Sequence, residues 1–293
     1  MPAPVVPAKT YKHNQKTAMH LRLLILLLLA LLLRGHMCSK ALAQEAELEP
    51  INFAYAAWIG SGYYQLEDRD LYVLRLPIAI PLRSVNDDPW GISLLLPVIF
   101  AYEQFNSNFL DYITGDILGA AFVPGVEVQI PVSKNWTLKP FGQIGIGYSE
   151  STTTYIYGGG IKSLYSFQWD RVDFGLGNSL VFADEDATGN SEDEGFSMFQ
   201  LGLDARHLIN FSTGNRDVDI GSYVVVSRFL DTFDFFGINK DVSQRIRTLV
   251  QIGLTLGIDP PVTLLGIDFS RVGIDYTFGK DFSGIGLNLG FPF

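Results

Sequence analysis

The chain has 293 residues, of which 47% are hydrophobic, and its formal net charge is −10. So acidic a chain lacks the basic surface that binds the phosphates of DNA or RNA, which argues against a nucleic-acid partner. After Leu33, no stretch approaches the ~18 continuous apolar residues that indicate a transmembrane helix. Two classes of protein remain: a secreted protein with a large all-β core, or a β-barrel in a membrane.

The first element in chain order is a short apolar segment. Residues 21–33 are nearly all leucine, with Arg22 near the start of the segment and Arg34 directly after it. A helix needs ~20 apolar residues to cross a bilayer, so this segment is too short to do so comfortably. A basic flank before a short apolar core is typical of a secretory signal. An uncleaved membrane anchor is the alternative interpretation.

A step of small residues, Ala41-Leu42-Ala43, follows and predicts cleavage before Gln44. We therefore expect residues 1–43 to be a signal peptide, with Met19 as an alternative start of translation. Residues 44–50 would then be a short periplasmic leader. Removal of the signal leaves 15 basic and 31 acidic residues, a net charge of −16, and removes the only cysteine. The remaining chain therefore needs no disulfide in an oxidising compartment.

The rest of the chain alternates between apolar and polar residues with a period of two, which predicts β-strands. In residues 245–259, for example, Ile252 and Leu254 share one face, and Gly253 and Thr255 share the other. Large apolar residues opposite small or polar ones are typical of a strand that separates lipid from a lumen. Helical periodicity is absent, so we expect an all-β chain.

Twelve segments show this alternation. Each has at least the ~9–11 residues that cross a bilayer at a tilt. An even number of strands fits a closed antiparallel barrel with both termini on one side. We therefore predict a transmembrane antiparallel β-barrel over residues 51–293. The predicted strands are 51–61, 69–83, 90–104, 117–132, 136–149, 153–168, 170–183, 195–208, 219–230, 245–258, 264–279 and 282–293.

The connections between these strands predict an orientation. If both termini are periplasmic, the outward connections include 106–116, 184–194 and 231–244, all of which are long. The inward connections are mostly short, as at Pro260-Pro261, and this asymmetry is typical of outer-membrane barrels. The connection 210–218 is an exception, because it is long and inward.

Many charged residues fall on the faces opposite the apolar ones. In the core of a soluble sandwich each buried, unpaired ion would cost several kcal/mol, whereas a watery or salt-bridged lumen accommodates them. These charges favour a membrane barrel over a soluble periplasmic β-protein. Twelve strands leave a narrow lumen, since wide pores have ~16 strands or more. The charges predicted on the inward faces are Arg75, Glu127, Lys139, Arg171, Asp173, Asp204, Arg206, Arg245, Arg247, Asp268 and Asp275.

Few groups suited to catalysis follow the signal. His207 is the only histidine there and cysteine is absent, which excludes a cysteine nucleophile and a two-histidine metal site. We expect no enzymatic activity, no cofactor and no metal. The alternative is an outer-membrane lipid-modifying enzyme that uses His207 with Ser212 or a neighbouring aspartate. The acidic stretch 184–194 has oxygen ligands suited to calcium, but it lacks EF-hand spacing, so we expect a solvated loop.

The closing segment, Gly284–Phe293, alternates most strictly of all. We expect its large apolar residues to face lipid, and the strand to pair with the first predicted strand and so close the barrel. A strand that ends on an aromatic residue resembles the C-terminal signal by which the assembly machinery recognises outer-membrane barrels. In this sequence that signal would consist of Leu289, Phe291 and Phe293.

Twelve strands, an opening segment at 51–60, a second strand at 72–80 and the closing segment resemble the translocator barrel of autotransporters. The resemblance is strongest to the solitary form that has no passenger domain. It implies a Gram-negative outer membrane and the role of a narrow pore, a translocator-like barrel or a structural protein. Ordinary autotransporters carry a linker helix in the pore. Only residues 44–50 precede the predicted barrel here, and Pro50 stops a helix there, so we expect none.

This location also implies partners. We expect contact with outer-membrane lipid and lipopolysaccharide, and assembly by periplasmic chaperones and the barrel-assembly machinery. We expect the barrel to be a monomer and to bind no nucleic acid.

Overall fold

A computed structural model describes residues 52–66, 69–85, 89–105, 119–149, 152–188, 195–213, 216–235, 244–264 and 267–293. The predicted signal peptide and leader lie outside these ranges. Within them, no helix is long and apolar enough to cross a membrane. The elements are α1 (Phe53–Ile59), β1 (Ser61–Leu66), β2 (Arg69–Arg83), β3 (Gly91–Phe105), β4 (Gly119–Phe122), β5 (Gly125–Ser133), β6 (Trp136–Ser149), β7 (Thr152–Trp169), β8 (Val172–Ala187), β9 (Phe196–Thr213), β10 (Arg216–Phe235), β11 (Gln244–Leu264), β12 (Ile267–Gly279) and β13 (Phe282–Asn288).

The strands form one closed antiparallel barrel. Neighbours in sequence pair with each other, and β1 pairs with β13, so the sheet closes on itself. β4 and β5 are two halves of a single barrel strand, because β3 and β6 each pair with both. Counted in this way, the described chain forms a twelve-stranded transmembrane barrel, and the predicted fold is confirmed.

The apolar faces of the strands point outward. On β11, the side chains of Ile252 and Leu254 are 51% and 58% exposed, whereas the intervening Gly253 and the following Thr255 are buried. A continuous apolar exterior is what a barrel in a bilayer requires. The sequence-based assignment of faces on this strand is confirmed.

The prediction of a strand over 51–61 was wrong, because residues 53–59 form a helix. Asn52 caps this helix: its side-chain oxygen accepts a hydrogen bond from the Tyr55 N–H at 2.7 Å, and its carbonyl accepts one from Ala56 N–H at 3.0 Å. Pro50 precedes the cap, where proline does not interrupt the helix. The first strand of the barrel is therefore the short β1.

The last predicted strand is also shorter than expected. β13 ends at Asn288, and Gly290 has a φ of +118°, a conformation that glycine adopts readily. The Gly290 N–H donates to the side-chain oxygen of Asn288 at 3.1 Å, which stabilises the turn. Beyond it the chain enters the barrel, where Phe293 is buried and Phe291 is half-buried. The prediction that these two rings face lipid was therefore wrong.

Two predicted connections are corrected by the strand bounds. β9 and β10 are separated only by residues 214–215, so the long inward connection predicted at 210–218 does not exist. Pro260 and Pro261 lie within β11, at an irregularity in its pairing with β12, rather than in a turn. The exception to the alternation of long and short connections is thereby removed.

The three longest connections lie at the same end of the barrel. They are residues 106–118, 188–195 and 236–243, and we call this end the long-loop rim. The opposite end, which we call the short-turn rim, includes the two-residue turns at 134–135 and 170–171. The two rims distinguish the two ends of the barrel. The position of α1 relative to them determines the end from which the chain enters the lumen.

Candidate functional site: the filled barrel interior

The helix α1 lies inside the barrel. Phe53, Ala54 and Ala56 are all 0% exposed. Phe53 packs where the inner wall lacks side chains: a Cβ atom added to Gly147 would lie 2.6 Å from Cδ2 of the Phe53 ring. Gly147 is near the end of β6 at the long-loop rim, so the helix begins at that rim.

A buried carboxylate holds the start of the helix. Oε2 of Glu185 accepts a hydrogen bond from the Ala54 N–H at 2.6 Å, and Glu185 is only 3% exposed. The first N–H groups of a helix have no partner within it, and a negative charge there is favourable. The sequence placed Glu185 in an acidic loop, whereas the structure places it on β8 with its side chain inside the barrel.

Aromatic rings pack around the rest of the helix. Tyr55 lies against Phe196 and Phe229, with ring centroids 6.3 Å apart in both pairs, and the ring of Trp58 lies 5.3 Å from that of Phe141. These contacts fill the lumen on several sides of α1. The helix therefore plugs the long-loop half of the barrel.

The chain reverses direction after the helix. The Tyr64 hydroxyl on β1 donates a hydrogen bond to the Ile59 carbonyl at 3.0 Å. Gly60 lies at the reversal and has a φ of +95°. The chain thus runs from the long-loop rim into the barrel as α1 and returns toward that rim as β1.

Basic side chains cluster on one side of the lumen. Lys162 on β7 lies 3.5 Å from Glu127 on β5, and its Nζ lies 5.3 Å from the centroid of the Phe141 ring. Lys139, the register partner of Lys162 on β6, donates to the carbonyl oxygen of Phe293 at 3.2 Å. Sequence reasoning placed Glu127 and Lys139 on the inward faces but missed Lys162.

The tail, residues 289–293, enters the short-turn half of the lumen, where Phe291 and Phe293 pack against the inner wall. A Cβ atom on Gly177 would lie 2.8 Å from the Cβ of Phe293, and one on Gly202 would lie 2.8 Å from ring atoms of both Phe291 and Phe293. The Phe291 ring also lies 5.8 Å from that of Tyr223. Glycines on the inner wall make room for the tail, as Gly147 does for the helix.

Asp275 is the centre of a polar network on the other side of the lumen. Its carboxylate accepts hydrogen bonds from Gln251 at 2.8 Å, Asn288 at 2.9 Å and the Tyr223 hydroxyl at 3.4 Å. Asn288 also caps the turn that sends the tail inward. This network therefore fixes the position at which β13 ends.

Two ion pairs lie near this network. Nε of Arg206 is 3.0 Å from Oδ2 of Asp204, and Asp204 is buried. Arg271 pairs with Asp219 and donates to the Thr255 hydroxyl at 2.8 Å. Asp219 and Arg271 were missed in the sequence. The apolar pattern shifts by one residue between Ser270 and Arg271, which obscured the face that Arg271 occupies.

The other predicted lumen charges are more scattered. Arg75 is half-buried on β2, and Asp173 is half-buried near the start of β8. Arg171 is exposed in a turn at the short-turn rim, and Arg247 is exposed near the start of β11. The side chains of Arg245 and Asp268 lie outside the described residues.

His207 is exposed and lies on the outward face of β9 with Leu201 and Leu203. Its Nδ1 is 3.3 Å from the carbonyl oxygen of Arg171, a group that supplies no acid or base. The side chain of Ser212 lies outside the described residues. Among the residues that the structure describes, no group of three or more metal-ligating side chains comes together.

Comparison with known proteins identifies the fold. No family model matches the chain, and no curated protein matches it by sequence. A solved structure, the β domain of the Bordetella autotransporter BrkA, is similar with a TM-score of 0.51 and covers 78% of this chain and 91% of its own. The fold is that of an autotransporter β domain. The sequence identity is 13%, so the similarity concerns the fold alone.

The expected absence of a helix inside this autotransporter-type barrel was therefore wrong, while the resemblance that prompted the expectation is confirmed at the level of the fold. Two separate segments of the chain occupy the lumen. The helix α1 occupies the long-loop half, and the tail occupies the short-turn half. Each is held by a polar contact, which is buried at Glu185 and half-buried at Lys139.

Proposed function

We propose that the chain is a non-enzymatic outer-membrane barrel of translocator type, plugged by α1. The observation that carries this proposal is the position of the helix. It lies inside a closed barrel, and its first turn is bound by Glu185 near the long-loop rim. A filled lumen favours a translocator-like or structural barrel over a pore that is open at rest.

The direction of the helix supports a specific topology. Outer-membrane barrels carry their long loops on the extracellular side. Asn52 lies near the long-loop rim, so we place the segment that precedes it at the cell surface. This replaces the sequence-based expectation of a periplasmic leader. Periplasmic chaperones and the barrel-assembly machinery would assemble the barrel, and its apolar exterior would contact lipid and lipopolysaccharide.

A tag-accessibility experiment tests this topology. A short epitope inserted after Glu47 should be accessible to antibody and protease on intact Gram-negative cells that produce the protein. A matched control carries the same epitope between Lys134 and Asn135, at the short-turn rim, and should react only after the outer membrane is opened. An epitope after Glu47 that remains protected on intact cells would contradict the proposed direction of the chain.

A further inference from the structure

The barrel wall is incomplete between β2 and β12 in its short-turn half. β1 pairs with β2 only as far as Val73, and β13 pairs with β12 only as far as Gly273. Beyond these points, residues 74–83 of β2 and 267–272 of β12 have no strand paired across the gap among the described strands, although β2 and β12 come close together. We call this gap the seam. Unpaired backbone groups are unfavourable in a bilayer, so the seam requires an explanation.

The β2 edge of the seam is suited to remaining unpaired. The Ser61 hydroxyl donates a hydrogen bond to the Arg75 carbonyl and accepts one from the Arg75 N–H, each at 2.9 Å. The backbone groups of Arg75, which face the seam, therefore need no partner strand. Pro77 and Pro81 follow at even intervals, so their backbone nitrogens point to the same side as that of Arg75. Proline has no N–H, and edge strands are where sheets tolerate it. This edge therefore offers few backbone N–H donors with which another strand could pair.

The β12 edge differs. Residues 267–272 contain no proline, so each has a backbone N–H. The register between β13 and β12 ends with Asn288 opposite Gly273. If β13 continued in this register, Leu289 would lie opposite Val272, and Phe291 would lie opposite Ser270.

The sequence of the tail fits that continuation. The alternation that places Ile285 and Leu287 on the exposed face continues through Leu289 to Phe291 and Phe293 without interruption. A segment whose pattern is that of a lipid-facing strand therefore lies in the lumen, beside an unpaired strand edge in matching register.

We propose that the tail has two positions, and that the β12 edge of the seam is the docking surface for the second. In the lumen position, which the structure shows, Phe291 and Phe293 pack against Gly177 and Gly202. In the wall position, the tail extends β13 along β12 and places both rings against lipid.

Each of the two positions of the tail is stabilised by contacts that the other lacks. Hydrocarbon tails are as apolar as a side-chain pocket, so the transfer of the two rings into lipid meets little hydrophobic opposition. The wall position gains backbone hydrogen bonds along β12. The lumen position gains close packing and the contact between Lys139 and the Phe293 carbonyl.

The consequence is a gate that is separate from the α1 plug. With the tail in the wall, the pocket at Gly177 and Gly202 is vacated and the short-turn half of the lumen opens. The helix in the long-loop half is unaffected, because the tail does not belong to its packing.

Engineered disulfides test the proposal, since residues 44–293 contain no cysteine. The wall pair Ser270→Cys with Phe291→Cys places two thiols opposite each other only in the wall position, where facing Cβ atoms are ~4.5–5.5 Å apart. Asp268→Cys with Phe293→Cys is a second wall pair in the same register. The lumen pair Gly177→Cys with Phe293→Cys reports the observed position, and a small shift brings it to disulfide geometry.

The matched control is Ser270→Cys with Pro292→Cys, because Pro292 is adjacent in sequence but lies on the other face of the extended tail. Each variant is refolded in lipid vesicles and confirmed as folded by its faster migration on a gel without heating. Under mild oxidation we expect the lumen pair to cross-link and at least one wall pair to cross-link several-fold more than the control. Wall pairs that react no faster than the control, or a lumen pair that does not react, would overturn the proposal of two positions.

Discussion

The carboxylate of Glu185 accepts a hydrogen bond from the backbone N–H of Ala54 at 2.6 Å, and this contact joins residues 131 positions apart in the chain. It links the inner face of β8 to the first turn of a helix that fills the lumen. The contact is buried, so neither group has water as an alternative partner.

We expect Glu185→Ala to loosen α1 while leaving the barrel intact. Loss of a buried, charged acceptor leaves the Ala54 N–H unsatisfied, which costs ~1–3 kcal/mol. Hydrogen exchange of the amides of Tyr55 to Ile59 should accelerate correspondingly. The control is Asp186→Ala, because Asp186 is the next residue on β8 and its side chain is exposed. Equal exchange in the two variants would show that Glu185 does not hold the helix.

The two faces of β11 should respond differently to charge. Leu254→Arg places a cation against lipid near the middle of the wall and should destabilise the barrel by ~2–4 kcal/mol in refolding titrations. Gln251→Lys places a cation inside, beside Asp275, where it keeps a donor to that carboxylate, so it should destabilise the barrel much less. Similar losses for both variants would mean that the exterior does not contact lipid.

Gly177 and Phe293 should be energetically coupled. Phe293→Ala leaves a cavity and should cost ~3–5 kcal/mol, while Gly177→Ala forces its methyl group into the ring. Phe293→Ala also removes the ring atoms Cγ and Cδ2, which the new methyl group would meet most closely, and leaves only the Cβ contact at 2.8 Å, so the two losses should not add. Gly142→Ala is the control, since a Cβ atom there would meet no atom within 4 Å. Additive losses at Gly177 and Phe293 would contradict the lumen position of the tail.

His207→Ala should leave the lipid composition of producing cells unchanged, as measured by mass spectrometry of lipid A and phospholipids. The imidazole faces outward and contacts a backbone carbonyl, so no activated nucleophile is expected there. His207→Gln controls for loss of the hydrogen-bonding group. A lipid modification that depends on His207 would favour the alternative interpretation, a lipid-modifying enzyme.

The barrel wall was predictable because alternation with a period of two is a direct consequence of one face in lipid and the other in the lumen. The facing of Ile252 and Leu254 followed from that pattern alone. The predicted number of twelve strands agrees with the structure, but its first segment is the helix, and β1 was not predicted. The helix was not recognised, because Phe53, Ala54, Tyr55 and Ala56 also alternate large with small. Only the cap residue Asn52 distinguished the segment, and an asparagine before an alternating run is a weak signal.

The interior contacts were harder to predict than the wall. A glycine on an inward face gives no indication of which ring it accommodates, so the pairing of Gly147 with Phe53 needed three-dimensional information. Gly290 continued the alternation of small residues in the closing segment, which concealed the turn that sends the tail inward. Glu185 was assigned to a loop because acidic neighbours surround it in the sequence.

A planar-bilayer recording tests most directly whether α1 plugs the barrel. All chains compared carry Phe291→Ala and Phe293→Ala, which remove the rings of the tail from the short-turn half of the lumen. This parent chain is compared with a variant in which residues 52–59 are also replaced by a glycine–serine segment of equal length. A second variant of the parent, with Lys134 and Asn135 replaced by glycine and serine, controls for altered refolding. The parent and the control should conduct weakly and the helix variant several-fold more strongly, whereas equal conductance in all three chains would contradict a lumen closed by the helix.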